Sequence, residues 1–458
     1  MAAISPNHAM QDLKITYQQS TLVFPTSQHD QKKSLFLSNI DKYLNFNVQT
    51  AHFFRANPGF PPETVAQRLK MALEKVLVPY DFLAGRVEWN HESGRAEIEC
   101  NAAGAGFVVA SSEFSVEELG DLATPNLGFR QLAVPKLDHL DQQHDQPLCI
   151  IQVTSFKCGG FAMGMSVNHI LFDGLAAKMF LENLASQAFA DQRPLAVIPF
   201  HDRHVLAARL PPLVTFPHPE FSKPAKPALG LPIRGSKQEL RYKILKMSSK
   251  EMNLLKAKAI NGALKVTSFN VVAALIWRFN VVAALIWRCR ALSSFDIDND
   301  NKDRVVGVYN VMDLRSRLNK TYLPREYCGN AILGGYASAK CKEIEKLPFW
   351  EMVKMVQEGL DRVTEEYVRS GIDWMEINKG MPLGDSIVSS WLRLGFDQVV
   401  FPWGKPVCCV PVVNQLERLC WIFPDGVDGV NVLVQRPAEE MERFRFHFLD
   451  FFENNNSK

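Results

Sequence analysis

No CxxC pair occurs among the nine cysteines of this chain (positions 100, 149, 158, 289, 328, 341, 408, 409 and 420), and their number is odd. A disulfide framework and a zinc knuckle both need paired thiols at set spacings, so neither is expected, and reduced thiols in the cytosol are. An excess of charge is missing too: 51 Lys and Arg stand against 49 Asp and Glu, a formal net charge of +2. That balance gives no broad attraction to nucleic acid or to an anionic membrane, and any cationic site has to be local. No cluster of metal-ligand residues stands out, and the acidic loop Asp296 to Asp303 lacks the glycine and closing glutamate of a calcium loop. Met1 to Thr16 has no basic segment followed by a long apolar run, which predicts a chain without a secretory leader, and Asn454-Asn-Asn-Ser-Lys458 carries no lipidation signature.

One stretch approaches membrane length. Phe269-Asn-Val-Val-Ala-Ala-Leu-Ile-Trp-Arg278 recurs unchanged as Phe279 to Arg288. Asn270, Arg278, Asn280 and Arg288 interrupt it, and an arginine near the midpoint of a span costs about 2.5–3.5 kcal/mol, so a soluble buried helix is expected. Ten residues at ~100° each turn the second copy's apolar stripe by about 80° from the first. Either the helix is unusually long or one copy is displaced, and a plain duplication in the gene accounts for the repeat.

At 458 residues the chain exceeds what one hydrophobic core supports, and two domains of about 200 residues each are expected. Strand patterns fall at Asn47 to Phe54, Arg86 to Trp89, Ala96 to Glu99, Leu148 to Val153 and Phe161 to Val167. Pro61-Pro-Glu opens an amphipathic helix with Val65, Leu69, Ala72, Leu73, Val76 and Leu77 on one face. Seven prolines between Pro211 and Pro232 favour extended chain, which marks a crossover at residues 210–235 between an N-terminal domain (1–209) and a C-terminal one (236–458). The second half repeats the mixture, with strands at Leu240 to Leu245, Val305 to Val311 and Val430 to Gln435. Its helices are read from Ser249, over Pro348 to Val368 and over Ala438 to Phe452.

The richest segment is His169-Ile170-Leu171-Phe172-Asp173-Gly174. The apolar run Phe161 to Val167 before it suits a buried strand, and Leu175 to Leu184 after it has helical spacing, so the imidazole stands where a strand turns into a helix. Side chains at such strand ends face clefts. The same spacing in His8-Ala-Met-Gln-Asp12 lies in a polar arm without that context. A core histidine bonded to backbone is the plainer reading of His169.

Leu37-Ser-Asn-Ile-Asp41, Tyr80-Asp-Phe-Leu-Ala-Gly-Arg86, His169 to Gly174, Asp313-Leu-Arg-Ser-Arg317, Tyr327-Cys-Gly-Asn330, Ser389-Ser-Trp391 and Phe401-Pro-Trp-Gly-Lys-Pro406 together resemble the BAHD family of plant acyl-CoA-dependent acyltransferases. The resemblance covers most of the chain. It implies an α/β fold with two domains of the chloramphenicol-acetyltransferase type, each a mixed β-sheet with flanking helices, and a channel between them with the histidine at its middle. It implies acyl-CoA and a small alcohol as partners, no bound cofactor or metal, a cytoplasmic location and a monomer. A neutral imidazole suits removal of the acceptor's proton, which makes His169 the general base. No Ser or Cys stands in a nucleophile elbow, so direct transfer is favoured over an acyl-enzyme.

By the same resemblance Asp173 points away from the cavity and pairs with Arg315, with Gly174 structural beside it; an ordinary surface ion pair is the plainer reading of Arg315. Trp391, with Ser389 two residues earlier, matches the donor to the oxyanion, or is a core tryptophan. Lys265, Thr267 and Ser268 match the region that contacts CoA, or cap an exposed helix. Trp403 and Gly404 match the family's Asp-Phe-Gly-Trp-Gly signature on the CoA side, where this chain has Val400 and Pro402 instead of the acid and the first glycine. Phe156-Lys-Cys-Gly-Gly-Phe161 and its surroundings look most like relatives acting on long-chain alcohols, ω-hydroxy acids or brassinosteroids. The acyl group is then hydroxycinnamoyl or aliphatic. N-acylation and a non-catalytic scaffold in lipid metabolism are the alternatives, the altered 400–404 segment and the duplication favouring the scaffold.

Overall fold

Runs of β-branched and aromatic residues pair into two six-stranded mixed sheets, one built largely from each half of the chain. The computed structural model describes residues 12–27, 33–140, 145–222, 239–260, 271–294, 302–319, 323–382, 384–413 and 416–453, with backbone alone for 271–277. In the first sheet the strands lie in the order Ile15–Val23, Ala105–Ser112, Cys149–Phe156, Phe161–Asn168, Asn47–Phe54 and Cys408–Pro411. Only the pair Ala105–Ser112 and Cys149–Phe156 is parallel. Cys149–Phe156 and Phe161–Asn168 are buried on both faces, which is why their sequences run apolar without alternation. Helix Pro62–Val76 starts on a proline, and its whole predicted apolar stripe, Val65 to Leu77, is buried in the core it shares with this sheet and with helix Gly174–Gln187.

The second sheet runs Leu240–Met247, Val430–Pro437, Leu419–Pro424, Ser386–Ser390, Val305–Asp313 and Ile332–Lys340. Ser386–Ser390 is parallel to both neighbours, and helices Phe349–Asp361 and Glu365–Asn378 supply the long connection that a parallel pairing needs. From Val271 onward the duplicated stretch forms a single helix, Val271–Ser293, in line with the long-helix alternative; Phe269 and Asn270 lie outside the described residues. Its second copy fills the core: Val281 to Trp287 are at most 1% exposed, and the Trp287 indole N–H donates to Val306 O at 3.0 Å. Arg278 ends its reach on Asp428 O at 2.7 Å. Among the described residues no helix is long and apolar enough to cross a membrane. All nine cysteines are free.

One sequence expectation is corrected, and two strands lie where the sequence patterns did not put them. The helix read over 348–368 is two helices, because Thr364 caps a new one by accepting from Tyr367 N at 3.3 Å. The strand Ile15–Val23 was masked by polar residues, as befits an exposed sheet edge. The boundary that assigns all of 236–458 to the second domain is crossed by Cys408–Pro411, which returns to pair with Asn47–Phe54 in the first sheet. The described part of the proline-rich crossover, residues 211–222, has no helix. It is pinned instead to helix Glu365–Asn378, where Ser370 Oγ accepts from Thr215 N and Phe216 N at 2.9 and 3.1 Å.

Candidate active site

Strand Phe161–Asn168 ends at the cleft between the two sheets, and five residues, His169 to Asp173, turn the chain into helix Gly174–Gln187. Asp173 begins that helix, its Oδ1 accepting from Ala176 N at 3.0 Å, as an N-cap carboxylate does. Its other bonds lead away from the imidazole. Arg315 grips both carboxylate oxygens at 2.9 and 3.1 Å, and Ala331 N donates to Oδ2 at 2.9 Å. Arg315 is also bonded to Asp313 at 2.7 Å and to the carbonyls of Tyr327 and Gly329. Burial works against the Arg315 charge, and the two carboxylates override it, holding the guanidinium pKa above its usual value. The pair is not a surface bridge: its side chains are 5% and 2% exposed. Removing one partner would orphan a buried charge at a cost of about 3–5 kcal/mol. At Gly174 a Cβ would come within 2.9 Å of the Leu394 methyl carbons, so the glycine lets the second lobe close on the helix start.

His169 itself is half-buried, and among the described residues its ring has one hydrogen-bonding side chain and one ring neighbour, Phe46, at 5.3 Å. Nδ1 lies 3.0 Å from Asn330 Oδ1. The Asn330 amide cannot be reversed, because its Nδ2 donates to Asp41 Oδ1 at 2.8 Å, to His169 O at 2.9 Å and to Ile170 O at 3.3 Å, all acceptors. Oδ1 therefore faces the imidazole and accepts, Nδ1 carries the hydrogen, and Nε2 holds a lone pair. Among the described residues Nε2 has no hydrogen-bond partner and is not sealed off; His169 lines the cavity. Burial lowers the His169 pKa, which keeps the ring neutral near neutral pH.

Behind the turn stands a second buried pair that the sequence reading passed over. Arg203 lies 3.1 Å from Asp41, both side chains fully buried, and donates to Ile170 O at 3.0 Å and to Leu171 O. Asp41 in turn anchors Asn330. Asn330 was visible only as part of the Tyr327-Cys-Gly-Asn330 match, and Arg203 lay in no motif; flanked by His201, Asp202 and His204, it carried no local signal of burial. Burial pushes the neighbouring Cys328 thiol up to about 12, so it offers no thiolate. Among the described residues no serine or cysteine bonds to His169.

The cavity holds about 510 Å³ and draws its walls from both halves of the chain, His169 and Phe172 from the first, Tyr309, Ser389, Trp391 and Trp421 from the second. Most of the lining is apolar. Ser389 sits on the central strand Ser386–Ser390, and Trp391 follows it, its backbone N–H held by Ile422 O at 2.7 Å. Among the described residues the Trp391 indole N–H has no hydrogen-bond partner and is not sealed. His169, Ser389 and Trp391 thus meet on one space.

Of the five residues expected on the CoA side, two are described. Lys265, Thr267 and Ser268 lie outside the described residues. Trp403 and Gly404 do not line the cavity. The Trp403 ring is packed among Phe54, Phe60, Phe161 and Phe401 at centroid distances of 5.2–6.3 Å, and Gly404, at φ +118°, closes a turn on Phe401. They seat the returning strand on the first sheet. The turn Phe156 to Phe161 lies at the far end of an eight-residue strand from His169, roughly 25 Å away, and does not touch the cavity.

Residues 13–450 match the model of the transferase family. The chain is 47% identical to the acyltransferase GLAUCE of Arabidopsis thaliana, over 97% of this chain and 98% of that one. It is 30% identical to the omega-hydroxypalmitate O-feruloyl transferase of the same plant, over 95% and 93%. Among solved structures, vinorine synthase superposes with a TM-score of 0.71 at 21% identity, over 95% of this chain and 98% of that one. The TRI101 protein of F. graminearum, complexed with coenzyme A and deoxynivalenol, gives 0.70 at 16%, over 90% and 97%. Both share the two-domain α/β fold. A histidine braced at the seam of two mixed sheets, in a chain that matches from end to end, identifies this protein as a member of the BAHD family of acyltransferases.

Proposed function

We propose that this protein moves an acyl group from an acyl-CoA thioester directly to a hydroxyl of a lipophilic plant metabolite. A long-chain alcohol, an ω-hydroxy acid and a brassinosteroid are the acceptor classes, and the acyl group is hydroxycinnamoyl or aliphatic. One observation carries the reading: Asn330 fixes the His169 hydrogen on Nδ1 and leaves the Nε2 lone pair facing an apolar cavity between the domains. A neutral base opening on such a space suits a hydroxyl acceptor attached to hydrocarbon. Curated relatives named omega-hydroxypalmitate O-feruloyl transferase and fatty alcohol:caffeoyl-CoA acyltransferase support that class, and a neighbour of like fold crystallised with coenzyme A supports acyl-CoA as donor. Free thiols throughout fit a cytosolic location.

In the reaction, Nε2 takes the acceptor's hydroxyl proton while the oxygen attacks the thioester carbonyl carbon. The carbonyl oxygen becomes an oxyanion, to which the Trp391 indole N–H and the Ser389 hydroxyl donate. The intermediate collapses with loss of CoA thiolate, and the imidazolium returns its proton to that sulfur. Nδ1–H stays on Asn330 throughout.

Purified protein incubated with a panel of acyl-CoAs and alcohols, followed by release of free thiol, tests the proposal. A rate that falls by at least 10²-fold in His169→Ala is expected. Equal release by both proteins would leave a scaffold without chemistry.

A further inference from the structure

Strand Leu419–Pro424 sets Trp421 beside Ser389 in the parallel ladder. Trp391 lies just past the end of its own strand, its N–H donating to Ile422 O and its carbonyl accepting from Leu394 N, and these backbone bonds leave the direction of its ring to side chains. Two aromatic neighbours supply it. Phe396 meets the indole edge to face at 5.7 Å and 89°, and Trp421 does so at 4.7 Å and 82°. Both tryptophans line the cavity, and they are 9% and 5% exposed.

Their indole N–H groups differ. That of Trp421 is sealed from solvent and has no nitrogen or oxygen acceptor, whereas that of Trp391 is not sealed. A buried indole N–H is a donor only, and leaving it without an acceptor is costly. The electron-rich face of an aromatic ring accepts N–H groups, and the ring meeting Trp421 at right angles is Trp391. A right-angled pair with one sealed N–H is met by a Trp421 pyrrole edge on the Trp391 face.

We propose that Trp421 is a positioning residue for acyl transfer: its indole N–H rests on the ring face of Trp391 and sets the direction in which Trp391 offers its own N–H to the oxyanion. This rests on the reading of Trp391 as the oxyanion donor. The geometry is tested first, in the unaltered protein, by ¹⁵N-indole spectra. The Trp421 resonance, assigned by its loss in Trp421→Phe, is expected upfield of the other tryptophans because a proton over a ring face is shielded. If Trp421→Phe does not fold, the shielded proton is identified by its return to the ordinary position in Trp391→Leu. A spectrum with no shielded indole proton overturns the proposal.

Kinetics test the role. Trp421→Phe keeps a ring and loses the N–H, and a three- to fivefold drop in kcat is expected with KM for acyl-CoA unchanged, about the worth of one such contact. In the Trp391→Phe background the same change is expected to cost nothing more. Losses that multiply in the double variant, or an unaltered Trp421→Phe rate, overturn the proposal while leaving Trp391 as donor. An unaltered Trp391→Phe rate removes the donor itself, and the proposal falls with it.

Discussion

At the scale of single residues, the site is governed by what holds the imidazole rather than by the imidazole alone. Asn330→Ala removes the acceptor of Nδ1–H and with it the preference for the reactive tautomer; kcat is expected to fall roughly 10²-fold, with the circular-dichroism spectrum kept. Because burial lowers the His169 pKa, the base is lost only as pH falls below the ordinary imidazole range. The acid limb of kcat/KM should therefore lie below ~6.5, and a limb at or above that value would contradict the neutral buried ring. His169, Asp173 and Gly174 were legible in the sequence because strand and helix periodicity meet at them. The Asp173–Arg315 pair was visible only through resemblance, since nothing local tells one arginine from another. Asn330 and Arg203 escaped as functional residues because their meaning is a distance, not a spacing: Asn330 reaches His169 across 161 residues of chain.

At the scale of elements, the sequence patterns located those strands and helices that have one strong periodicity, such as Pro62–Val76 and Phe161–Asn168. They missed Ile15–Val23, Ala105–Ser112 and the short Cys408–Pro411, whose residues are polar, small or few. Cys408–Pro411 brings with it a titratable contact. His52, on strand Asn47–Phe54, is 1% exposed, with Nδ1 3.1 Å from Cys409 Sγ and Nε2 2.8 Å from Thr50 Oγ1. Burial holds its pKa down at about 4. The unfolded chain takes up that proton near pH ~6.5 while the folded one does not, so stability is whole above that value and falls as pH drops towards 4. Between pH ~7 and ~5 the loss from this one group should be about 2 kcal/mol. Urea midpoints at the two pH values measure it, and His52→Gln should flatten the difference by that amount.

At the scale of the whole molecule, the two lobes are not independent. One sheet borrows its edge strand from the second half of the chain, and the turn that carries His169 is fastened by Arg315 and Asn330, again from that half. A calorimetric scan should therefore show one cooperative transition, and a fragment of residues 1–222 expressed alone should show none. The two-domain α/β plan was readable from length, mixed patterns and the proline-rich crossover, whereas the exchange of a strand between lobes leaves no mark in composition. The fastening has a further consequence for biosynthesis. Arg315 follows Asp173 by 142 residues and Asn330 follows His169 by 161, so a nascent chain carries its histidine long before Asn330 can orient the ring. On the proposed function, a translation product truncated ahead of those late residues should release no thiol from coenzyme A esters.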